Sequence, residues 1–251
     1  MDIVVCVKRV PATDSKIKVG ADGKSIDPAG LEFVLNPYDE FAVEEAIKTK
    51  ETLGSGSVTV VTLGTGDSQK ELRTCLAMGA DKAVLLDVSG LPDGGAGLDA
   101  CATAEVVAEH VKGMPHDAVF CGRQAVDGDD SQFPSRLAAL LDLPCVTEVA
   151  KLELSDGKYT AERDIEGARE VVECPTPCVI STNKGLNEPR YANLKGIMAA
   201  KKKPLETVAV GAATPATEVA ELELPPERSG GKIVETVDDL VAALKNEAKV
   251  L

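Results

Sequence analysis

A polar, glycine-containing segment in the middle of the chain has residue types suited to binding phosphate. It spans residues 122–132 and follows a short apolar run at residues 118–121. Backbone N–H groups in such a loop, together with the start of the next helix, can bind a phosphate group. The aspartates of the segment repel phosphate unless they accept hydrogen bonds from amides or point away. Taken alone, the segment fits an acidic surface turn as well as a phosphate site.

The familiar nucleotide-binding motifs are absent from the sequence. The first apolar run, residues 3–7, leads into a Lys-Arg-Val-Pro turn instead of G-x-G-x-x-G, and there is no Walker A sequence. We therefore expect any ligand at the carboxyl ends of the strands, where the strand order reverses. Three loops end there in this interpretation: residues 6–8, 36–39 and 122–132.

The sequence shows no catalytic or metal-binding constellation. Its two histidines, His110 and His116, fall around the end of one predicted helix, and no G-x-S-x-G elbow is present, which disfavours a hydrolase or transferase. The seven cysteines lie mostly in apolar runs, as expected for buried, reduced thiols. Cys174 and Cys178 form the only close pair, and their spacing is not CxxC. We predict no catalytic residue and no metal site.

A segment near residue 190 combines charges with apolar side chains. Residues 186–191 form a turn stiffened by Pro189, and the short helix predicted after it places Leu194, Ile197 and Met198 on one face. Apolar residues exposed among charges are typical of a protein-docking loop. The alternative is that these side chains pack inward. The lysines at residues 201–203 are interpreted as a solvated helix end.

Composition limits the class of protein. The 251 residues suffice for one large α/β domain with an extension, and the 44% hydrophobic content suffices for a core. A net charge of −14 argues against binding to nucleic acid or to an anionic membrane surface. No apolar run reaches membrane-spanning length, and the start of the chain lacks a signal-peptide pattern. We expect a cytoplasmic protein.

The order of elements predicts a doubly wound, mostly parallel sheet with helices on both faces. Strands are predicted at residues 3–7, 58–63, 83–86, 118–121 and 178–181, with helices between them. The first helix is expected to begin at Asn36, which can cap it, with Pro37 in its first turn. A hairpin is expected around residues 155–157.

The last quarter of the chain is predicted to differ from the rest. Residues 203–232 are interpreted as an extended arm, and residues 236–246 as an amphipathic helix. The chain thus divides into an α/β domain at residues 1–203, which includes a recognition loop at 184–203, and a C-terminal arm at 204–251. The arm either wraps another subunit or packs back on its own domain; the pattern leaves both open.

Several blocks of the sequence resemble the electron-transfer flavoprotein beta subunit, in that family's order. The blocks cover most of the chain and are found at residues 4–10, 36–46, 76–81, 121–127, 186–191 and 234–240. The resemblance implies an adenine-nucleotide alpha-hydrolase-like fold and an electron-carrier subunit, not an enzyme. It also implies pairing with an alpha subunit, which is the subunit that mainly binds the FAD. A universal-stress-type nucleotide sensor is the distant alternative.

The resemblance implies that this chain binds AMP or, in the electron-bifurcating branch of the family, a second FAD as part of an NADH-oxidising complex. The segment at residues 186–191 resembles non-bifurcating members, whereas residues 127–132 resemble bifurcating ones; we favour AMP. The matching positions are Cys6, Asn36, Pro37, Tyr38, Asp39, Leu63, Gly122, Arg123, Gln124, Ala125, Val126, Asp127, Gly128, Asp129, Asp130, Ser131, Gln132 and Phe133.

The resemblance also implies a site that docks flavin dehydrogenases such as acyl-CoA dehydrogenases. Asp164 stands where the family has a longer, partner-contacting glutamate, within an acidic segment that departs from the family at Ala168. Thr13 replaces an aromatic residue that approaches the alpha-bound flavin. The expected docking residues are Asp164, Leu186, Asn187, Glu188, Pro189, Arg190, Tyr191, Leu194, Ile197 and Met198.

Overall fold

A computed structural model describes residues 1–227 and 230–251 of the chain. Most of the strands join one nine-stranded sheet. The strands are β1 Asp2–Cys6, β2 Arg9–Pro11, β3 Phe33–Leu35, β4 Ser57–Gly64, β5 Lys82–Asp87, β6 Ala118–Gly122, β7 Cys145–Ser155, β8 Lys158–Ile165, β9 Ala168–Pro175, β10 Cys178–Thr182 and β11 Leu205–Ala209. The helices are α1 Pro37–Leu53, α2 Gln69–Met78, α3 Ala100–Lys112, α4 Phe133–Leu141, α5 Leu194–Ala200 and α6 Val237–Ala243.

The sheet has the order β11-β5-β4-β1-β6-β10-β7-β8-β9. All neighbours from β11 to β7 are parallel, and β8 and β9 are added as antiparallel hairpins. The chain places β4 and β5 on one side of β1, then crosses to place β6 on the other side. This confirms the predicted doubly wound, mostly parallel fold, and it puts a switch in strand order between β1 and β6.

Helices cover both faces of the sheet, which explains why β1 is apolar at consecutive positions. Ile3 and Val5 pack in a core that contains residues of α1 and α2. Val4 and Cys6 point to the opposite face, where α3 and α4 supply the packing partners. A strand buried on both faces needs apolar residues throughout instead of an alternating pattern.

Four strands were not expected from the sequence. The antiparallel pair β2 and β3 lies outside the main sheet, and β9 forms its edge. The interpretation of residues 203–232 as an irregular arm is wrong for Leu205–Ala209, because this segment pairs in parallel with β5 as the other edge strand. An edge strand is paired on one side and remains half solvated, so its sequence carries a weaker apolar signal.

The remainder of the arm leaves the sheet after β11. Its first part is tied to the domain, since Asp99 accepts hydrogen bonds from the Ala216 and Thr217 N–H groups, both at 2.9 Å. The predicted amphipathic helix is confirmed as α6, with Thr236 as its cap. Its apolar side chains at Val237, Leu240 and Val241 are exposed, so within the described residues α6 does not pack back on its own domain. Arg228 and Ser229, also in the predicted arm, lie outside the described residues.

None of the described helices has both the length and the apolar character needed to cross a membrane.

Candidate nucleotide cleft and docking segment

A cleft of about 510 Å³ opens at the carboxyl ends of β1, β4 and β6. One wall comes from the turn after β1 and from the loop that follows β6. The opposite wall comes from the turn after β4 and from the glycine-rich segment before α3. The cleft therefore lies beside the switch in strand order, the place where open α/β sheets bind their ligands, and its volume is that of a small-molecule site.

The first turn of α1 fixes the loops that form the cleft. The Asn36 side chain donates to the Gln124 carbonyl at 2.9 Å and accepts from the Val126 N–H at 3.1 Å. Asn36 is at the N-cap position of α1, as expected, but its side chain makes no capping bond, because it binds the loop after β6 instead. The expected proline in the first turn of α1 is confirmed as Pro37.

Asp39 joins the turns after β1 and β6. Its carboxylate accepts from the Lys8 N–H at 2.7 Å and from the Gly122 N–H at 3.1 Å. Burial raises the pKa of this carboxyl to about 7, against the opposing effect of the Asn36 side chain and the two N–H groups. Asp39 is thus a buried acid that connects the two sides of the switch point.

Only some backbone N–H groups of the loop after β6 remain available to a ligand. The Gly122 and Val126 N–H groups donate to the side chains of Asp39 and Asn36. The Arg123 N–H donates to the Thr182 carbonyl at 2.9 Å. Gln124, Ala125 and Asp127 line the cleft, and across the described part of the chain no protein acceptor bonds their N–H groups. These N–H groups suit an anion such as a phosphate.

Two cationic side chains, those of Lys8 and Arg9, also line the cleft. The Lys8 ammonium is 2.8 Å from the Asp127 carboxylate. The Arg9 guanidinium is 3.9 Å above the ring of Phe33, and its Nε lies 3.5 Å from the buried Glu71 carboxylate. Both cations are already paired with carboxylates, so the backbone N–H groups are the donors without such a competitor.

The structure brings most of the predicted nucleotide residues to the cleft. Those that line it are Cys6, Asn36, Asp39, Leu63, Gly122, Gln124, Ala125, Asp127, Gly128, Asp130 and Phe133. Those that do not are Pro37, Tyr38, Arg123, Val126, Asp129, Ser131 and Gln132. Arg123 instead lies 3.7 Å from Glu148, and Ser131 donates to the Gln124 side chain at 2.6 Å. The ligand contacts themselves stay a prediction.

Sequence reasoning missed the wall on the far side of the cleft. It is formed by small and polar residues before α2, before α3 and in the first turn of α3, among them Thr65, Ser68, Gly94, Gly95, Ala96, Asp99 and Thr103. The signal was present, because each segment is a glycine-containing turn between a strand and a helix. In a doubly wound sheet, every such turn lies at the carboxyl edge.

The thiols at the cleft are shielded. Cys6 and Cys121 are paired in register on β1 and β6, and both are buried. Hydrogen bonding with Cys6, which favours the neutral thiol, and burial raise the pKa of the Cys121 thiol well above its usual value. A thiol in this state is a poor nucleophile. All seven cysteines are free, in line with the predicted reduced state.

The predicted recognition loop at residues 184–203, called the docking segment below, presents apolar side chains to solvent. Tyr191 is 98% exposed, Leu194 75% and Met198 64%, and Ile197 is also exposed. The alternative that these residues pack inward is therefore wrong for α5. Leu186 differs from them, since it is partly buried against the core.

Other predicted docking residues are occupied within the chain. The Asn187 amide donates to the Glu45 carboxylate at 2.9 Å, and the Arg190 guanidinium binds Glu44 and Glu51. Asp164 lies outside the docking segment, on β8, where Arg169 of β9 donates to it at 3.0 Å. These contacts give Asn187 and Arg190 a structural position independent of any partner.

The fold and the cleft define the class first: a doubly wound α/β protein with a ligand-sized cleft at its switch point. The sequence model of the electron transfer flavoprotein domain matches residues 24–213. An electron transfer flavoprotein subunit beta from Bacillus subtilis is 41% identical over all of both chains. The electron transfer flavoprotein subunit beta from Syntrophomonas wolfei is 38% identical over all of this chain and 98% of that protein. The namesake from Mus musculus is 37% identical over 98% of each.

The chain therefore belongs to the electron transfer flavoprotein family, among its beta subunits. The resemblance noted in the sequence blocks is confirmed. The relatives are aligned with essentially the whole chain, so the assignment does not depend on one motif. Proteins of this family are electron carriers.

Proposed function

We propose that this chain pairs with an FAD-binding alpha subunit, holds one AMP in the cleft and docks flavin dehydrogenases through residues 184–203. FAD supplies the electron-carrying chemistry when it is bound. This chain itself contributes by holding AMP, pairing with the alpha subunit and presenting residues 184–203 to the dehydrogenase. AMP has no redox chemistry of its own, so its role here is structural.

The observation that carries the AMP proposal is the set of unbonded N–H groups at the switch point. Gln124, Ala125 and Asp127 supply donors for a phosphate, while the apolar side chains of Leu63 and Val107 line the same cleft and suit an adenine. A second FAD is the alternative, supported by the likeness of residues 127–132 to the bifurcating branch. Both ligands share the adenosine phosphate part that these groups would recognise.

The exposed apolar side chains support the two protein contacts. The face of α6 formed by Val237, Leu240 and Val241 suits a lasting interface, because its apolar side chains are exposed together on one helix. The smaller face on α5 suits a transient contact with a dehydrogenase, in which one apolar anchor dominates.

Co-expression with the neighbouring alpha subunit tests this proposal. We expect a yellow heterodimer by size-exclusion mass measurement, and one AMP and one FAD per heterodimer when heat-released ligands are separated by chromatography. Two FAD and no AMP would move the protein to the bifurcating branch. A stable monomer that ignores the alpha subunit would favour a nucleotide sensor and contradict the pairing.

Leu240→Asp tests the contribution of α6 to that pairing. A charge buried in an interface without a partner is costly, so we expect the variant to be recovered as a monomer. Ala242→Asp, on the opposite side of the same helix, is the matched control and should still pair. Equal pairing of both variants would show that this face of α6 is not in the interface.

A further inference from the structure

A cation of α2 binds carbonyls at the end of the docking helix α5, and a cation that follows α5 binds carbonyls at the end of α2. Arg73 of α2 donates to the Ala200 carbonyl at 2.6 Å and to the Lys203 carbonyl at 2.9 Å. Lys203 donates in return to the Leu76 carbonyl at 3.0 Å and to the Ala80 carbonyl. The last carbonyls of a helix lack partners within the helix, and a cation there is stabilising. Lys203 is therefore not the solvated helix end that its sequence context indicated.

Gly196 brings α5 directly against the backbone of α2. A side chain at this position would collide with the Ala77 carbonyl oxygen. The Asn193 side chain accepts from the Gly196 N–H at 2.8 Å and caps α5. The helix thus has a fixed distance from α2 as well as a fixed end.

Arg190, near the start of the docking segment, binds two glutamates of α1. Its Nε and Nη2 bind the two oxygens of Glu44 at 2.8 and 3.0 Å. Its Nη1 and Nη2 bind those of Glu51 at 2.7 and 2.9 Å. The Glu44 side chain is 6% exposed and that of Glu51 is 54% exposed. Only the planar fork of arginine satisfies two carboxylates in this way.

We propose that Arg190 and Arg73 are positioning residues that hold the docking segment in its binding conformation before a partner arrives. This inference rests on the proposed docking function. The two arginines fix the segment on either side of Leu194, Ile197 and Met198, which themselves touch solvent. A segment that is already ordered loses less conformational entropy on binding, and so binds more tightly through the same contacts.

Glu51→Gln separates positioning from direct contact. It weakens the hold on Arg190 yet leaves the arginine in place, so a role for Arg190 as a partner contact predicts no loss of docking. The matched control is Glu206→Gln, since Glu206 is 52% exposed and pairs with Lys82 at 2.8 Å on the edge strand β11, on the face of the sheet opposite to α2. Arg190→Lys keeps the charge but removes the fork.

The experiment uses the heterodimer with its alpha subunit and measures the electron-transfer rate against dehydrogenase concentration. We expect Glu51→Gln to raise the half-saturating concentration about two- to fivefold, the size of effect for a half-exposed ion pair. Arg190→Lys should raise it further. The limiting rate should not change, and amide hydrogen exchange in residues 190–200 should become faster in both variants. Glu206→Gln should match the wild type.

Leu194→Ala is measured in parallel to keep the two ideas apart. If Leu194→Ala weakens docking while Glu51→Gln and Arg190→Lys do not, the positioning role is wrong and the docking function stands. If Leu194→Ala has no effect, the docking function is wrong, and the positioning role fails with it. Faster exchange without a change in half-saturating concentration would also overturn the positioning role.

Discussion

Helix α1 supports two regions of the molecule, and it does so with different kinds of side chain. At its start, Asn36 and the buried Asp39 bind backbone groups of the cleft. Farther along, Glu44 in its middle and Glu51 in its last turn bind the arginine of the docking segment, whose apolar residues then face solvent. Buried polar contacts are costly to break, whereas partly exposed ion pairs contribute little to stability. Changes at the cleft should therefore affect folding, and changes at the exposed Leu194, Ile197 and Met198 should affect binding alone.

Gly122→Ala should have the largest effect on the cleft. A side chain at this position would collide with Asp39 and would approach the Tyr38 carbonyl carbon to 2.8 Å. Relief requires a backbone shift at the switch point, so we expect a loss of about 3 kcal/mol in unfolding free energy together with loss of the nucleotide. Denaturant unfolding and chromatography of released ligand measure the two effects.

Gly128→Ala is the control for that substitution. Its position also lines the cleft, but no atom lies within 4 Å of an added Cβ. It should leave the unfolding free energy within about 0.5 kcal/mol of the wild type. If both variants lost stability equally, the close approach of Gly122 to α1 would not be the cause.

Asp39→Asn should change how stability depends on pH. The folded-state pKa of about 7 is above the ordinary value of 3.8, so the unfolded chain releases this proton first as pH rises. The contribution of Asp39 to stability is thus greatest below about pH 4, falls toward about pH 7, and is level above it. The variant should lose this fall. The amide also has one acceptor oxygen for two N–H groups, and the one left unpaired costs about 1–3 kcal/mol.

Unfolding free energy from pH 4 to pH 8 tests the prediction for Asp39. The matched control is Asp67→Asn, at an exposed carboxylate before α2, which should keep the wild-type slope. Equal slopes for wild type and Asp39→Asn would mean that Asp39 is ionised throughout this range. Nucleotide content should fall in Asp39→Asn and not in the control.

Short apolar runs and turn chemistry predicted the parallel part of the sheet well. Residues 3–7 and 118–121 could be placed as central strands because strands buried on both faces are apolar at every position. The edge strand β11 could not, since half of its side chains face solvent. The exposure of Leu194 also could not be decided, because a helix face at this spacing has the same pattern whether it packs inward or faces water.

The cleft was predictable in position more than in contacts. Loops at the carboxyl ends of strands were placed correctly by the topology, but Gly94 and Gly95 were overlooked as part of its wall. The roles of Asn36 and Asp39 depend on side-chain contacts across 88 and 83 residues of sequence. Local patterns carry no information on contacts of that range, so Asn36 was assigned its commonest local role, a helix cap.

Leu194→Ala should have the smallest effect on folding, because the side chain is 75% exposed and outside the core. Thermal melting and nucleotide content should match the wild type. If Leu194 fills a pocket on the dehydrogenase, its truncation should cost about 1–3 kcal/mol of docking free energy. This corresponds to a half-saturating dehydrogenase concentration about 5 to 150 times higher.

The electron-transfer rate of the Leu194→Ala heterodimer, measured against dehydrogenase concentration, tests the division between cleft and docking segment most directly. The result we predict is a raised half-saturating concentration with an unchanged limiting rate, melting temperature and flavin content. An unchanged half-saturating concentration would contradict docking through α5. A fall in melting temperature with loss of flavin would instead show that Leu194 supports the fold.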